Sequence, residues 1–135
     1  MEKTLGIIKP DAVKTGHVSA VVKRIEAEGF IILNTKELQL TKTQAEQFYA
    51  VHQGKSFFDE LVTYMISGPV VVMELQKENA IKAWRDLMGN TDPALAAPNT
   101  LRKLYGTSKG VNGFHGSDAP ETAHEEIKFF FHKLS

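Results

Sequence analysis

The chain has 135 residues, 42% of them hydrophobic and 24% charged, which fits one globular domain and neither a disordered nor a fibrous chain. It contains no cysteine, so disulfides, zinc ribbons, iron–sulfur clusters and thiol catalysis are excluded together. Sixteen Lys and Arg against sixteen Asp and Glu give a formal charge of zero, which argues against a dedicated nucleic-acid or membrane-surface binder. Any polyanion this protein holds is then small and gripped by a local cluster of cations.

The N-terminus has no cationic segment followed by an apolar stretch, so no export signal is read there. Its longest apolar runs, near residues 30–33 and 69–73, fall far short of the ~20 residues a spanning helix needs. The expected location is the cytoplasm, with no membrane partner.

Residues 5–8 form a short apolar run stopped by Lys9-Pro10-Asp11 and read as a buried strand opening into a turn. Val18, Val21, Val22 and Ile25 recur at helical spacing over residues 18–27, with Gly29 closing the segment. Residues 30–40 read as a strand. Thr41 precedes a helical stretch with Ala45, Phe48 and Tyr49 on one face, and residues 57–66 read as another helix ended by Ser67-Gly68-Pro69.

The β-branched run 70–75 predicts a central strand. Asn79 is placed to cap a helix carrying Ile81, Trp84, Leu87 and Met88 on its apolar face and ending at Gly89. Residues 90–112 read as a long irregular stretch, a feature that is usually functional in a compact domain. A final helix is expected over 121–132. Strands alternating with helices predict an α/β or α+β sandwich with helices on one side of a sheet.

Several chemistries are missing. Gly106-Thr107-Ser108-Lys109-Gly110 has the wrong spacing for a phosphate-cradling loop, and no G-x-G-x-x-G follows a strand. The five histidines are not at metal-ligand spacing, and no G-x-S-x-G elbow is present. The informative stretch is Asn112-Gly113-Phe114-His115-Gly116-Ser117-Asp118. Here a histidine lies between two glycines that would let other groups approach its ring, beside an amide, a hydroxyl and a carboxylate able to orient substrate or ring. Glu126, on the last helix, could reach one imidazole nitrogen. A carboxylate there would fix the tautomer and leave the other nitrogen as a nucleophile.

With these residues in view, the sequence resembles the nucleoside diphosphate kinase family over essentially its whole length. The resemblance runs through Thr4 and Ile7-Ile8-Lys9-Pro10-Asp11-Ala12-Val13, then Phe57-Phe58, Ser67-Gly68-Pro69-Val70-Val71 and Arg85. It continues through Gly89-Asn90-Thr91-Asp92-Pro93 and Thr100-Leu101-Arg102 to the histidine string. It implies a single domain over 1–135, an α+β ferredoxin-like βαββαβ sandwich with helices packed on an antiparallel sheet. It also implies ping-pong transfer of a terminal phosphoryl group from nucleoside triphosphates to nucleoside diphosphates, maintaining (d)NTP pools.

By the same resemblance His115 is the phosphorylated residue, and Lys9, Arg85 and Arg102 contact the phosphates. Thr91 donates a hydroxyl to phosphate, Lys9 and Asn112 hold the sugar 3′-hydroxyl, and Ser117 and Glu126 orient the histidine. Tyr49 lies near the transferred group and Phe57 stacks on the base, which would tolerate every base because no edge is read. Phe30, Phe58 and Trp84 are read as core. A triphosphate carries about four negative charges of which Mg²⁺, arriving on the nucleotide, offsets two, so three cations suffice for the rest. The resemblance further implies a homo-oligomer, a tetramer or hexamer built from dimers.

Some positions depart from the family pattern: Ser56, Asn99, Lys103-Leu104-Tyr105, Lys109 and Ala119-Pro120. They leave every proposed catalytic group in place and bear on the 90–111 loop. Two other classes stay open at this point, a nucleotide-binding module of the same fold without chemistry and a scaffold whose oligomer is its function. The first could also hold single-stranded nucleic acid; zero net charge weighs against that version, and the intact His115, Lys9 and Arg102 weigh against both versions.

Overall fold

A computed structural model describes residues 1–108 and 111–133, so Lys109 lies outside the described residues. In chain order the elements are β1 (Glu2–Ile8), α1 (Pro10–Lys14), α2 (Val18–Ala27), β2 (Ile31–Leu38), α3 (Lys42–Phe48) and α4 (Phe58–Met65). They continue with β3 (Val70–Lys77), α5 (Ala80–Met88), α6 (Leu101–Tyr105), β4 (Phe114–Gly116) and α7 (Pro120–Lys128). The strands form one antiparallel sheet in the order β2-β3-β1-β4. The path β1-α2-β2-β3-α5-β4 is the ferredoxin-like skeleton, with α3 and α4 inserted before β3 and α7 added after β4.

The sheet is covered on both faces, which corrects the expectation of helices on one side. Val71, Met73 and Leu75 of β3 pack with Val21 and Ile25 of α2 and with Trp84, Leu87 and Met88 of α5. On the opposite face, Val70 and Val72 join Ala45, Phe58, Val62, Met65, Ile127 and Phe130 from α3, α4 and the C-terminal helix. The apolar run 70–73, followed by a buried Glu74 and then Leu75, fits burial on both sides. Phe30, Phe58 and Trp84 are core, as read from the sequence.

Other departures are local. Lys9-Pro10-Asp11 opens a short helix rather than a turn, with proline in its first turn where the missing N–H costs nothing. Asn79 precedes α5 in left-handed backbone (φ 54°) and its side chain makes no capping bond. Thr41, by contrast, forms a reciprocal capping box with Gln44. The 90–112 stretch is not irregular throughout, since it contains a 3₁₀ turn at Pro93–Leu95 and α6. The last helix passes into a π turn over Phe129–Lys133.

Candidate active site

His115 sits in β4, an edge strand, opposite Ile7 of β1. Its Nε2 lies 3.1 and 3.2 Å from the two carboxylate oxygens of Glu126 on α7. The Ser117 hydroxyl donates to Glu126 Oε1 at 2.6 Å and accepts the Leu5 backbone N–H at 3.4 Å. A carboxylate only accepts, so Nε2 carries a proton and Nδ1 presents its lone pair. Among the described residues nothing hydrogen-bonds to Nδ1.

The backbone of His115 is fixed from the core. Trp84 Nε1 donates to the His115 carbonyl at 2.9 Å. A Cβ at Gly116 would stand 2.4 Å from Trp84 Cδ1, so this glycine makes room for the indole. The idea that both flanking glycines open the ring to substrate is thereby corrected. Gly116 serves packing, and Gly113 adopts a left-handed φ of 84°.

The cations converge on the same strand end. The Lys9 backbone N–H donates to the Gly113 carbonyl at 2.7 Å, and Arg102 Nη2 donates to the Phe114 carbonyl at 3.0 Å. Arg102 Nη1 reaches the Gly89 carbonyl at 2.9 Å, while its buried Nε has no partner among the described residues. Lys9 is buried, and its ammonium donates to Asn112 Oδ1 at 3.1 Å. Asn112 Nδ2 in turn donates to the Thr91 carbonyl at 3.1 Å.

Burial first and then repulsion from Arg102 push the Lys9 ammonium down to about 8, with Asp11 pulling the other way. Burial and then Arg85 push the Arg102 guanidinium down to about 10. Cations that strain one another in this way form a preorganised seat for a polyanion. Arg85 and Thr91 themselves are exposed, on the last turn of α5 and in the loop beyond it.

A row of rings leads away from the histidine. Phe48 meets His115 edge-on at 5.3 Å and Tyr49 at 4.8 Å. Tyr49 then meets His52 at 6.3 Å, and His52 meets Phe57 at 5.3 Å. Tyr49 is buried with its hydroxyl unpartnered among the described residues. Burial, then Glu126, hold that phenol protonated well above its ordinary range. Phe57 is 45% exposed, with the Lys55 ammonium over its ring 5.8 Å from the centre.

The predicted residues thus fall into a histidine group (His115, Ser117, Glu126) and a cation group (Lys9, Asn112, Arg102, Arg85, Thr91), joined through residues 113 and 114. Tyr49 and Phe57 extend from them along the ring row. Sequence reading missed Phe48, which flanks the histidine, and Tyr64, whose hydroxyl donates to Asp11 Oδ1. Position in the Lys9-Pro10-Asp11 string was the one available signal for Asp11. Among the described residues no set of three His, Asp or Glu converges to hold a metal. A cavity of about 780 Å³ between the start of β1 and α7 is lined by none of the predicted residues.

The departures from the family pattern find local reasons. Asn99 adopts a left-handed φ of 69°, which asparagine tolerates almost as glycine does. Its carbonyl accepts Arg24 Nη2 at 2.9 Å, tying the loop to α2. Tyr105 packs its ring on His17 at 4.5 Å. Pro120 occupies the first turn of α7. Nothing in the structure explains Ser56.

Comparison with known proteins agrees with this geometry. The family model for nucleoside diphosphate kinase matches residues 2–135. The chain is 56% identical over 131 residues to a nucleoside diphosphate kinase of Syntrophotalea carbinolica, covering 97% of this chain and 96% of the relative. Its structure is similar to that of the Aquifex aeolicus nucleoside diphosphate kinase, with a TM-score of 0.95, 46% identity and coverage of 98% and 96% of the two chains. A halophilic nucleoside diphosphate kinase from Halobacterium salinarum, solved in complex with CDP, matches with a TM-score of 0.93, 38% identity and coverage of 97% and 88%.

Proposed function

The chain belongs to the nucleoside diphosphate kinase family, and on that premise we propose that His115 Nδ1 is the atom that carries the phosphoryl group between nucleotides. The enzyme is a phosphotransferase that moves the γ-phosphoryl group of a triphosphate, typically ATP, to a diphosphate through a phosphohistidine, sustaining (d)NTP pools. The Nδ1 lone pair attacks the γ-phosphorus, and the bond to the β–γ bridging oxygen breaks. The diphosphate leaves with that electron pair. A second diphosphate attacks the same phosphorus, the P–N bond breaks, and Nδ1 recovers its lone pair. The Nε2 proton stays in place throughout, while Glu126 offsets the positive charge that grows on the ring.

Each flanking side chain has a role in this scheme. Arg102 and Arg85 grip phosphate oxygens through planar forks, and Lys9 acts as a point charge near the transferred group and the sugar 3′-hydroxyl. Asn112 shares that hydroxyl, Thr91 donates to phosphate, and Tyr49 supplies a protonated phenol. Ser117 holds Glu126, and Phe57 stacks on any base. The Halobacterium relative was solved with CDP, which supports a nucleoside diphosphate as the acceptor here.

The family uses a divalent metal, which we take to be Mg²⁺ carried on the nucleotide phosphates. The cations assigned here to the phosphates would repel a bare ion and accept one already bound to phosphate oxygens. When bound, the ion would offset about two of the nucleotide's four charges. We read residues 1–135 as one cytoplasmic domain. Among the described residues no helix is long and apolar enough to cross a membrane. A homo-oligomer, tetramer or hexamer, is in keeping with the open edge of β2, where Ile31 and Leu33 are exposed.

One observation carries the reading. Lys9 and Arg102 are anchored to the two carbonyls just before His115, beside a ring whose Nε2 is occupied and whose Nδ1 is open. Initial velocities with ATP and a second diphosphate test it. Parallel double-reciprocal lines are expected, and His115→Ala should lose transfer at least about 10⁴-fold, as when a covalent nucleophile is removed. Intersecting lines or an active His115→Ala overturn it.

A further inference from the structure

Asp11 is a carboxylate set among cations, and nothing in the scheme above uses it. Its Oδ1 accepts the hydroxyl of Tyr64 from α4, and its Oδ2 is buried without a hydrogen-bond partner among the described residues. A carboxylate oxygen left dry is unfavourable unless a positive charge compensates it. Lys9, two residues earlier and itself buried, supplies an attraction of that sign without forming a direct ion pair with Asp11. The Lys9 ammonium also lies over the Tyr64 ring, 5.6 Å from its centre. Asp11 Oδ2 lies 3.6 Å from where a Cβ at Gly113 would stand, and the Gly113 carbonyl takes the Lys9 N–H. One phenol therefore touches α1 and the lysine, and through Asp11 it stands next to the loop that delivers His115.

Building on the reading of His115 as the phosphorylated residue, we propose that Asp11 and Tyr64 are positioning residues that keep the Lys9 ammonium charged and aimed at the transferred phosphoryl group. Every group facing Lys9 enters the balance. Arg102 from α6 repels it, Asp11 from α1 attracts it, Tyr64 from α4 offers its ring face, and Asn112 accepts its hydrogen bond. Arg85 and Tyr49 act one step further out, through Arg102 and Tyr64. Burial and Arg102 drive the ammonium toward about 8, and Asp11 is the group that resists. Without it the lysine would lose its proton nearer to neutral pH, and the phosphoryl group would lose a cation just where charge spreads in the transition state.

The test is kcat/KM against pH for transfer from Mg²⁺–ATP to dTDP, since this ratio reports the free enzyme's titrating groups. Asp11→Asn keeps the shape and an acceptor for Tyr64 but removes the charge. The alkaline limb should move about one unit toward acid, so that at pH 8.5 the ratio falls about tenfold while at pH 6.5 it stays near wild type. In a Lys9→Arg background, where the cation no longer titrates, the same substitution should leave the limb unmoved. Tyr64→Phe keeps the ring, releases Asp11 toward solvent, and should shift the limb the same way by less. It serves alone if Asp11→Asn does not fold.

Profiles of the folded variants that superimpose on wild type, or a limb that still moves in the Lys9→Arg background, overturn the proposal. Acid-labile phosphohistidine is scored in the same wild-type samples. Its absence fails the reading of His115, whereas its presence with an unmoved limb fails the Asp11–Tyr64 proposal alone.

Discussion

Glu126 accepts two hydrogen bonds on one oxygen, from His115 Nε2 at 3.1 Å and from the Ser117 hydroxyl at 2.6 Å. The serine fixes the carboxylate and the carboxylate fixes the ring, so the tautomer of His115 is set from two residues on, just past β4, and from α7. Glu126→Gln keeps the size but can present an N–H to the ring and so favour the other tautomer, in which Nδ1 is protonated. Phosphorylation of His115 should slow by about 10²- to 10⁴-fold, measured by single-turnover quench with ATP. Ser117→Ala should cost about 1–2 kcal/mol of stability in urea titration, because it strands the Leu5 N–H and frees Glu126.

Lys9 links activity to stability with opposite signs. Its ammonium is held at about 8 in the folded protein against an ordinary 10.5. Between those values the unfolded chain binds more protons, so this residue's contribution makes stability rise with pH through that window. The cost is present in full below about pH 8 and gone above about 10.5. Lys9→Met should therefore raise the melting temperature at pH 7, by relief on the order of 1–3 kcal/mol, while removing most transfer activity. A lower Tm at pH 7 contradicts the burial argument.

Gly116 is governed by space. A methyl group there meets Trp84 Cδ1 at 2.4 Å and Met88 Cε at 2.6 Å. Gly116→Ala should cost about 1–3 kcal/mol by overpacking and should also lower activity, because the indole it displaces holds the His115 carbonyl. Thermal melts and transfer rates on the same samples check both.

Asn99 is governed by backbone. At its φ of 69°, Asn99→Gly should be near neutral and Asn99→Val should cost at least about 1 kcal/mol, read from chemical denaturation midpoints.

Much of this arrangement was legible in the sequence because local chemistry and element period agree. The helix over 18–27 matches its apolar spacing residue for residue, and the 70–75 run is a central strand. What stayed hidden is tertiary. The apolar run 70–73 holds the signal for two covered faces, but a short apolar run reads the same in several settings. α6 is only five residues long, capped by Thr100, and too short to show a period. β4 is three residues whose pairing with β1 spans more than a hundred positions. His115 with Asn112, Ser117 and Glu126 stood out from local chemistry and the other candidates came from the family resemblance, while the connections of Trp84 to His115 and Tyr64 to Asp11 exist only in three dimensions.

The most direct test is to mix the enzyme with γ-labelled ATP and Mg²⁺, without acceptor, and map the label. The account predicts about one acid-labile, base-stable phosphate per chain on His115, discharged on adding a nucleoside diphosphate, and none on His115→Ala. Full turnover with no such label, or label carried on another residue at the same rate, would contradict it.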